Sequence, residues 1–126
     1  MKLDFDKPIP IYLQMIHEVK RAIARGELQP GDKIPSQRER AQLSQVNPNT
    51  VQRAYREMEA MGLTVTERGQ GTFITNDKSV LDKVRTEMAN LAIQTFVEDM
   101  IALGYRSDEI QSCFAKYMND KHETEG

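Results

Sequence analysis

A single cysteine, Cys113, stands in a chain of 126 residues, so an internal disulfide framework is excluded and a reducing compartment fits. Tryptophan is absent. No apolar run approaches the roughly 20 residues that span a bilayer, so no membrane partner is expected. The start Met1-Lys2-Leu3-Asp4-Phe5-Asp6 lacks the charged and apolar regions of a secretory signal, and a cytoplasmic location is expected. His17 and His122 have no companion ligands at metal-binding spacing. Nucleophile–base pairs, glycine-rich phosphate loops and paired carboxylates are likewise missing. Neither an enzyme nor a metal or cofactor is expected, and no internal repeat or low-complexity segment interrupts the chain.

What the chain does have is an uneven distribution of charge. The whole carries −2, which alone argues weakly against nucleic acid. Residues 1–76, however, hold 11 Lys and Arg against 9 Asp and Glu, whereas residues 77–126 hold 6 against 10. Between positions 36 and 56 only Glu39 opposes Arg38, Arg40, Arg53 and Arg56. A nearly neutral protein binds DNA when its basic groups converge on one face, with the acidic half turned away.

Hydrophobic spacing divides the chain into helices and β-prone pieces. Residues 1–9 show no sustained period and read as an arm. Tyr12, Ile16, Val19 and Ile23 form one helical stripe that ends near Gly26. Ser36-Gln37-Arg38-Glu39 is a capping box that starts a second helix. Asn47 as N-cap and Pro48 at the first helical position start a third, with Val51, Ala54, Tyr55 and Met58 facing inward. Gly62 ends it, and Leu63 packs back. Thr64-Val65-Thr66 and Thr72-Phe73-Ile74-Thr75 flank Glu67-Arg68-Gly69-Gln70-Gly71, the pattern of a hairpin with a basic tip. Helix, turn, helix and hairpin in this order make a winged helix-turn-helix. A helix of that kind fits the major groove, while the tip suits the minor groove or the backbone.

From about Ser79 to Leu103 the period is helical again, with Leu81, Val84, Met88, Leu91, Phe96 and Met100 on its apolar side. Gly104 stops this helix, and Ser107 is expected to cap a last one carrying Ile110, Cys113, Phe114, Tyr117 and Met118. Cys113 reads there as a small buried hydrophobe. Residues 119–126 are polar and expected to fray. The expected fold is mainly α with a small β-hairpin: a winged helix-turn-helix domain over residues 1–76, then a two-helix dimerisation appendage over 77–126. One antiparallel helix pair cannot cover both stripes, so a second copy is expected to meet the excess through Leu81, Val84, Met88, Leu91, Phe96, Met100, Phe114 and Tyr117.

Residues 10–75 resemble the winged-helix domain of the GntR family of bacterial transcription regulators. The wording Asn-Pro-Asn-Thr-Val-Gln-Arg-Ala-Tyr-Arg-Glu-Met-Glu at 47–59 is similar to its YtrA subfamily. Beyond residue 75 the resemblance rests only on length and helical character. It implies repression by operator occupancy, and an effector that alters DNA affinity. Two helices cannot enclose a sizeable cavity, so any small-molecule effector, its existence and identity left open by the sequence, is expected at the dimer interface. Three departures from the family pattern concern packing: Arg40, Ser44 and Gln45 stand where Leu, Leu and Gly are usual, leaving Ala41, Leu43 and Val46 to fill the inner face of the second helix. Pro48 stands where arginine is frequent, so direct readout shifts toward its neighbours.

The expected DNA contacts follow from these placements. Arg38 resembles the arginine that family members place against DNA, to phosphate or a guanine edge. Asn47, Asn49, Thr50, Gln52 and Arg53 crowd the start of the third helix, the end that meets base edges. Asn49 and Gln52 lead because their amides bond adenine in a bidentate way. Arg53 and Arg56 are expected on phosphate. At the wing Gly69 and Gly71 allow positive φ and close approach, with Arg68 and Gln70 at the tip. The function expected is sequence-specific DNA binding as a homodimer that regulates transcription. The alternative is a winged-helix protein–protein module without DNA readout.

Overall fold

The computed structural model describes residues 1–125, with side chains placed through position 122. Five helices and a small antiparallel sheet follow in the order α1 (Ile11–Ala24), β1 (Lys33–Ile34), α2 (Gln37–Ser44), α3 (Pro48–Ala60), β2 (Thr64–Glu67), β3 (Gly71–Ile74), α4 (Lys78–Ala102) and α5 (Ser107–Glu125). The chain forms two compact units, Met1–Met88 and Ala89–Gly126. The fold is mainly helical, a winged helix-turn-helix followed by two helices.

In the first unit α1 and α3 supply most of the core. Met15 and Ile16 of α1, Val51, Ala54 and Met58 of α3, Leu63 and Ile74 are all sealed from solvent. Fully burying an aliphatic side chain of this size contributes about 1.5–3 kcal/mol, so this cluster fixes how α3 is presented. Leu63 reaches the core because α3 ends in a left-handed turn. Gly62 adopts φ 76°, and the Leu63 N–H returns to the Met58 carbonyl at 2.9 Å. The arm is also held. Gln14 is buried on α1, and its side chain exchanges hydrogen bonds with the Asp4 backbone, both at 2.8 Å, while donating to the Ile9 carbonyl at 2.9 Å. A buried amide needs such partners, and here they tie residues 4–9 to the helix.

The sheet has one strand more than the expected hairpin. Its order is β1-β3-β2, with Lys33 opposite Phe73 and Ile34 opposite Thr72 on one edge of β3. β1 is only two residues long, too short to leave a periodic trace. On the other edge Glu67 pairs with Gly71, so Arg68, Gly69 and Gln70 form the wing tip.

Three packing expectations are corrected. Leu43 does not fill the inner face of α2; it is 70% exposed, and no residue of α2 is buried. Val46, just past the helix, is buried as expected. Leu81 and Val84 do not lie on a free stripe, because they complete the core of the first unit, against which Met88 is half-buried. That unit therefore continues beyond residue 76 to Met88.

The second unit is built by α5 and the later turns of α4. Phe96 meets Phe114 edge-on, with ring centroids 6.2 Å apart and planes at 82°. Ile110 is buried. Gly104, at φ 90°, closes α4, and the Tyr105 N–H returns to the Met100 carbonyl at 3.1 Å. Ser107 lies inside α5 rather than capping it. Arg106 precedes the helix, and its N–H donates to Glu109 Oε1 at 3.0 Å. The helix runs on through the polar tail to Glu125, and Gly126 lies outside the described residues. Leu91, Ile93, Ile101, Leu103, Phe114, Tyr117 and Met118 remain exposed. Cys113 is exposed too, not buried. Among the described residues no helix is long and apolar enough to cross a membrane.

Candidate nucleic-acid interface

Local chemistry orients the two helices of the motif. Ser36 Oγ accepts from the Glu39 N–H at 3.1 Å, and Glu39 Oε1 accepts from the Ser36 N–H at 3.2 Å, so the expected capping box is complete. Hydrogen bonding from Ser36, chiefly from its backbone N–H and then from its side chain, holds the Glu39 carboxyl below its ordinary pKa. The turn after α2 depends on Gln45, which adopts φ 52° in the left-handed region where the family pattern has glycine. The Val46 N–H then reaches the Ala41 carbonyl at 3.2 Å. At the start of α3, Asn47 Oδ1 accepts from the Asn49 N–H at 2.8 Å. Pro48 follows at the first helical position.

These caps bring α2 and α3 side chains to one cleft. Gln37, Arg38, Ala41 and Gln42 line it from α2, and Pro48, Asn49 and Gln52 from α3. Arg38, Asn49 and Gln52, chosen from sequence, thus share a surface with two amides, Gln37 and Gln42, that sequence reasoning passed over. Those amides are legible only once α2 is set against α3. Asn47 is exposed, with its side-chain oxygen committed to the cap. Thr50 is half-buried.

The arginines separate into two kinds. Arg53 is held within the protein: its guanidinium lies 3.8 Å from the centroid of the Tyr12 ring and hydrogen-bonds the Tyr12 hydroxyl at 3.1 Å. It also pairs with Glu57 at 3.4 Å. This stacking joins residues 41 positions apart, which no local pattern reveals. Arg38, Arg56 and Arg68 are exposed, and none of the ion pairs among the described residues includes them.

At the wing the Gln70 N–H returns to the Glu67 carbonyl at 2.9 Å. Gly69 and Gly71 both need positive φ, at 80° and 127°. Their surroundings differ. A Cβ at Gly69 would meet nothing, whereas one at Gly71 would lie 2.8 Å from Cε of Lys33. Lys33, on the strand that the sequence reading missed, therefore runs alongside the wing as a further cation. Among the described residues no group of His, Cys, Asp or Glu is arranged to hold a metal.

Known proteins share this arrangement. Residues 11–74 match the family described as bacterial regulatory proteins, gntR family. The chain is 42% identical over 110 residues to the uncharacterized HTH-type transcriptional regulator YhcF of Bacillus subtilis, covering 87% of this chain and 91% of that one. It is 35% identical over 111 residues to the HTH-type transcriptional repressor YtrA of the same organism, covering 87% and 85%. A solved structure of a GntR family transcriptional regulator from Listeria monocytogenes superposes with a TM-score of 0.81 at 36% identity, over 89% of this chain and 98% of that one. The DNA-binding domain of AraR in complex with operator ORX1 superposes with a TM-score of 0.54 at 29% identity, over 60% of this chain and 96% of that one. From its helix-turn-helix, its wing and these likenesses, the chain belongs to the GntR family of bacterial transcription regulators.

Proposed function

We propose that this regulator is a repressor of the YtrA type, occupying a near-palindromic operator as a homodimer. The observation that carries the proposal is the convergence of Arg38, Asn49 and Gln52 on one exposed cleft at the N-terminal end of α3. In this reading α3 enters the major groove, with Asn49 and Gln52 on base edges and Arg38 on a phosphate or a guanine. Asn47 and Thr50 flank that contact, and Arg56 meets phosphate. Arg53 reaches the backbone only from its seat on Tyr12. Arg68, Gly69, Gln70 and Gly71 bring the wing to the adjoining groove. The repressor name of YtrA and the operator bound by the AraR domain support the reading.

The second unit supplies the second copy. Leu91, Phe114 and Tyr117 are exposed, with Phe96 and Met100 half-buried beside them, too large an apolar surface for one helix pair to leave in water. Leu81 and Val84 take no part, being core residues. An effector, where one acts, would sit between the helices of the two copies. A gel shift on DNA upstream of the protein's own gene tests the proposal. A saturable complex that outlasts the random-duplex complex as salt rises is expected. Equal affinity for both duplexes would favour the protein–protein module, which the uncompensated Arg38, Arg56 and Arg68 speak against.

A further inference from the structure

Gly71 opens β3 at the base of the wing, and the space beside it is taken. The Lys33 side chain passes over it: a Cβ at Gly71 would lie 2.8 Å from Cε, 3.5 Å from Nζ and 3.8 Å from Cδ of that lysine. The strand pairing explains this route. Lys33 stands opposite Phe73, and Gly71 lies two residues closer to the wing tip on the same face of β3. Ile34 turns into the core, so Lys33 points away from it. Its stem therefore runs along β3 from Phe73 to Gly71 and carries the ammonium toward the tip. Glycine at 71 leaves that course open, and the Cβ of any other residue would stand in it.

The charges around this lysine are of one sign. Lys33 is exposed and forms no ion pair among the described residues. Glu39 is committed to its capping box; Ser36 lowers its pKa most and the Lys33 charge lowers it further, so the ammonium is also within electrostatic reach of the start of α2. Arg38 is the next residue to Glu39, and Arg68 follows Glu67, the partner of Gly71 across the hairpin. Three unpaired cations on three different elements thus border the wing, and an anion lying across them relieves their repulsion. We infer that Lys33 is a DNA-backbone contact seated on Gly71, its ammonium meeting a phosphate between the groove entered by α3 and the groove met by the wing. This contact rests on the reading of α3 and the wing as the DNA-binding face. It gives Gly71 a second task besides its turn conformation, which is to seat a cation. A compact ammonium on an apolar stem suits so narrow a passage.

A lysine that only guards the outer edge of the sheet would not touch DNA, and salt dependence separates the two roles. Full-length protein would be titrated by fluorescence anisotropy onto two duplexes of about 30 base pairs over a series of salt concentrations. One duplex carries the DNA upstream of the protein's own gene and the other a shuffled sequence. Lys33→Met keeps the stem and removes the charge. It should weaken both complexes about fivefold to tenfold at about 0.1 M salt and lower the salt slope by about one. Lys33→Gln serves in its place if the methionine variant does not fold. Lys33→Arg should keep the wild-type slope. In Gly71→Ala, whose methyl takes the seat, adding Lys33→Met should cost less than about twofold, a comparison that cancels the strain of the alanine itself. Wild-type protein that binds both duplexes equally would remove operator specificity and leave this contact standing, because a phosphate contact is blind to sequence. Unchanged affinity and slope in Lys33→Met, a lowered slope in Lys33→Arg, or an undiminished Lys33→Met effect in Gly71→Ala would overturn the inference. Wild-type protein that binds neither duplex would overturn the operator reading and this contact with it.

Discussion

Gln52 and Asn49 offer amides where Pro48 leaves no guanidinium, and the choice between base reading and backbone anchoring is made side chain by side chain. Gln52→Ala should weaken operator binding by about 1–3 kcal/mol and relax preference at one base position per half-site, read by competition with single-base operator variants. An unchanged preference profile would remove Gln52 from the readout. Arg56→Ala should behave differently, weakening operator and random DNA together and lowering the salt slope by about one. Arg53 was legible as a basic residue in the first turns of α3, expected on DNA, but not as the partner of Tyr12. Its stacking predicts that Arg53→Ala also lowers stability, by about 0.5–1 kcal/mol in a denaturant titration, as Arg56→Ala does not. Equal stability of the two variants would show the Tyr12 contact to be idle.

Helix caps were the most readable elements, because Ser36 with Glu39, Asn47 with Pro48, and Gly62 satisfy terminal backbone groups through short local spacings. β1 and the exposure of Leu43 were not readable, since both depend on partners distant in sequence, whereas the burial of Val46 was. Gln45 shows the cost of one local departure. A non-glycine residue held in the left-handed region is disfavoured, so Gln45→Gly should stabilise the protein by about 1 kcal/mol in thermal or denaturant unfolding. A destabilised variant would mean that the glutamine side chain makes a compensating contribution. At the wing, Gly69→Val and Gly71→Val should both strain a positive φ, and Gly71→Val should cost more because φ 127° lies further than 80° from the left-handed region a side chain tolerates, whereas the flexible end of Lys33 can move aside. Arg68→Ala should reduce DNA affinity with no change in melting temperature. Wild-type DNA affinity in Arg68→Ala and Gly69→Val together would take the wing out of the interface.

For the molecule as a whole, the boundary between compact units decides where dimerisation can be tested. The helical period of α4 runs without a break, so the sequence could not tell that Leu81 and Val84 turn into the core while Leu91 stays outside. A fragment must therefore keep residues through Met88 to hold its core. Such a fragment should fold, sediment as a monomer, and lose most operator affinity while keeping weak non-specific binding, because each half-site then binds alone. A fragment that remains a tight dimer would place self-association in the winged-helix unit. A full-length dimer should instead span half-sites about 34–36 Å apart if one helical turn separates them. The central claim, that α3 reads a specific operator, is tested most directly by selecting bound fragments from the genomic DNA of the source organism with full-length protein and with Gln52→Ala. The account predicts that the wild type enriches fragments sharing one near-palindromic sequence, and that Gln52→Ala enriches the same sequence with one symmetric pair of positions relaxed. Recovery of fragments with no common sequence would contradict it.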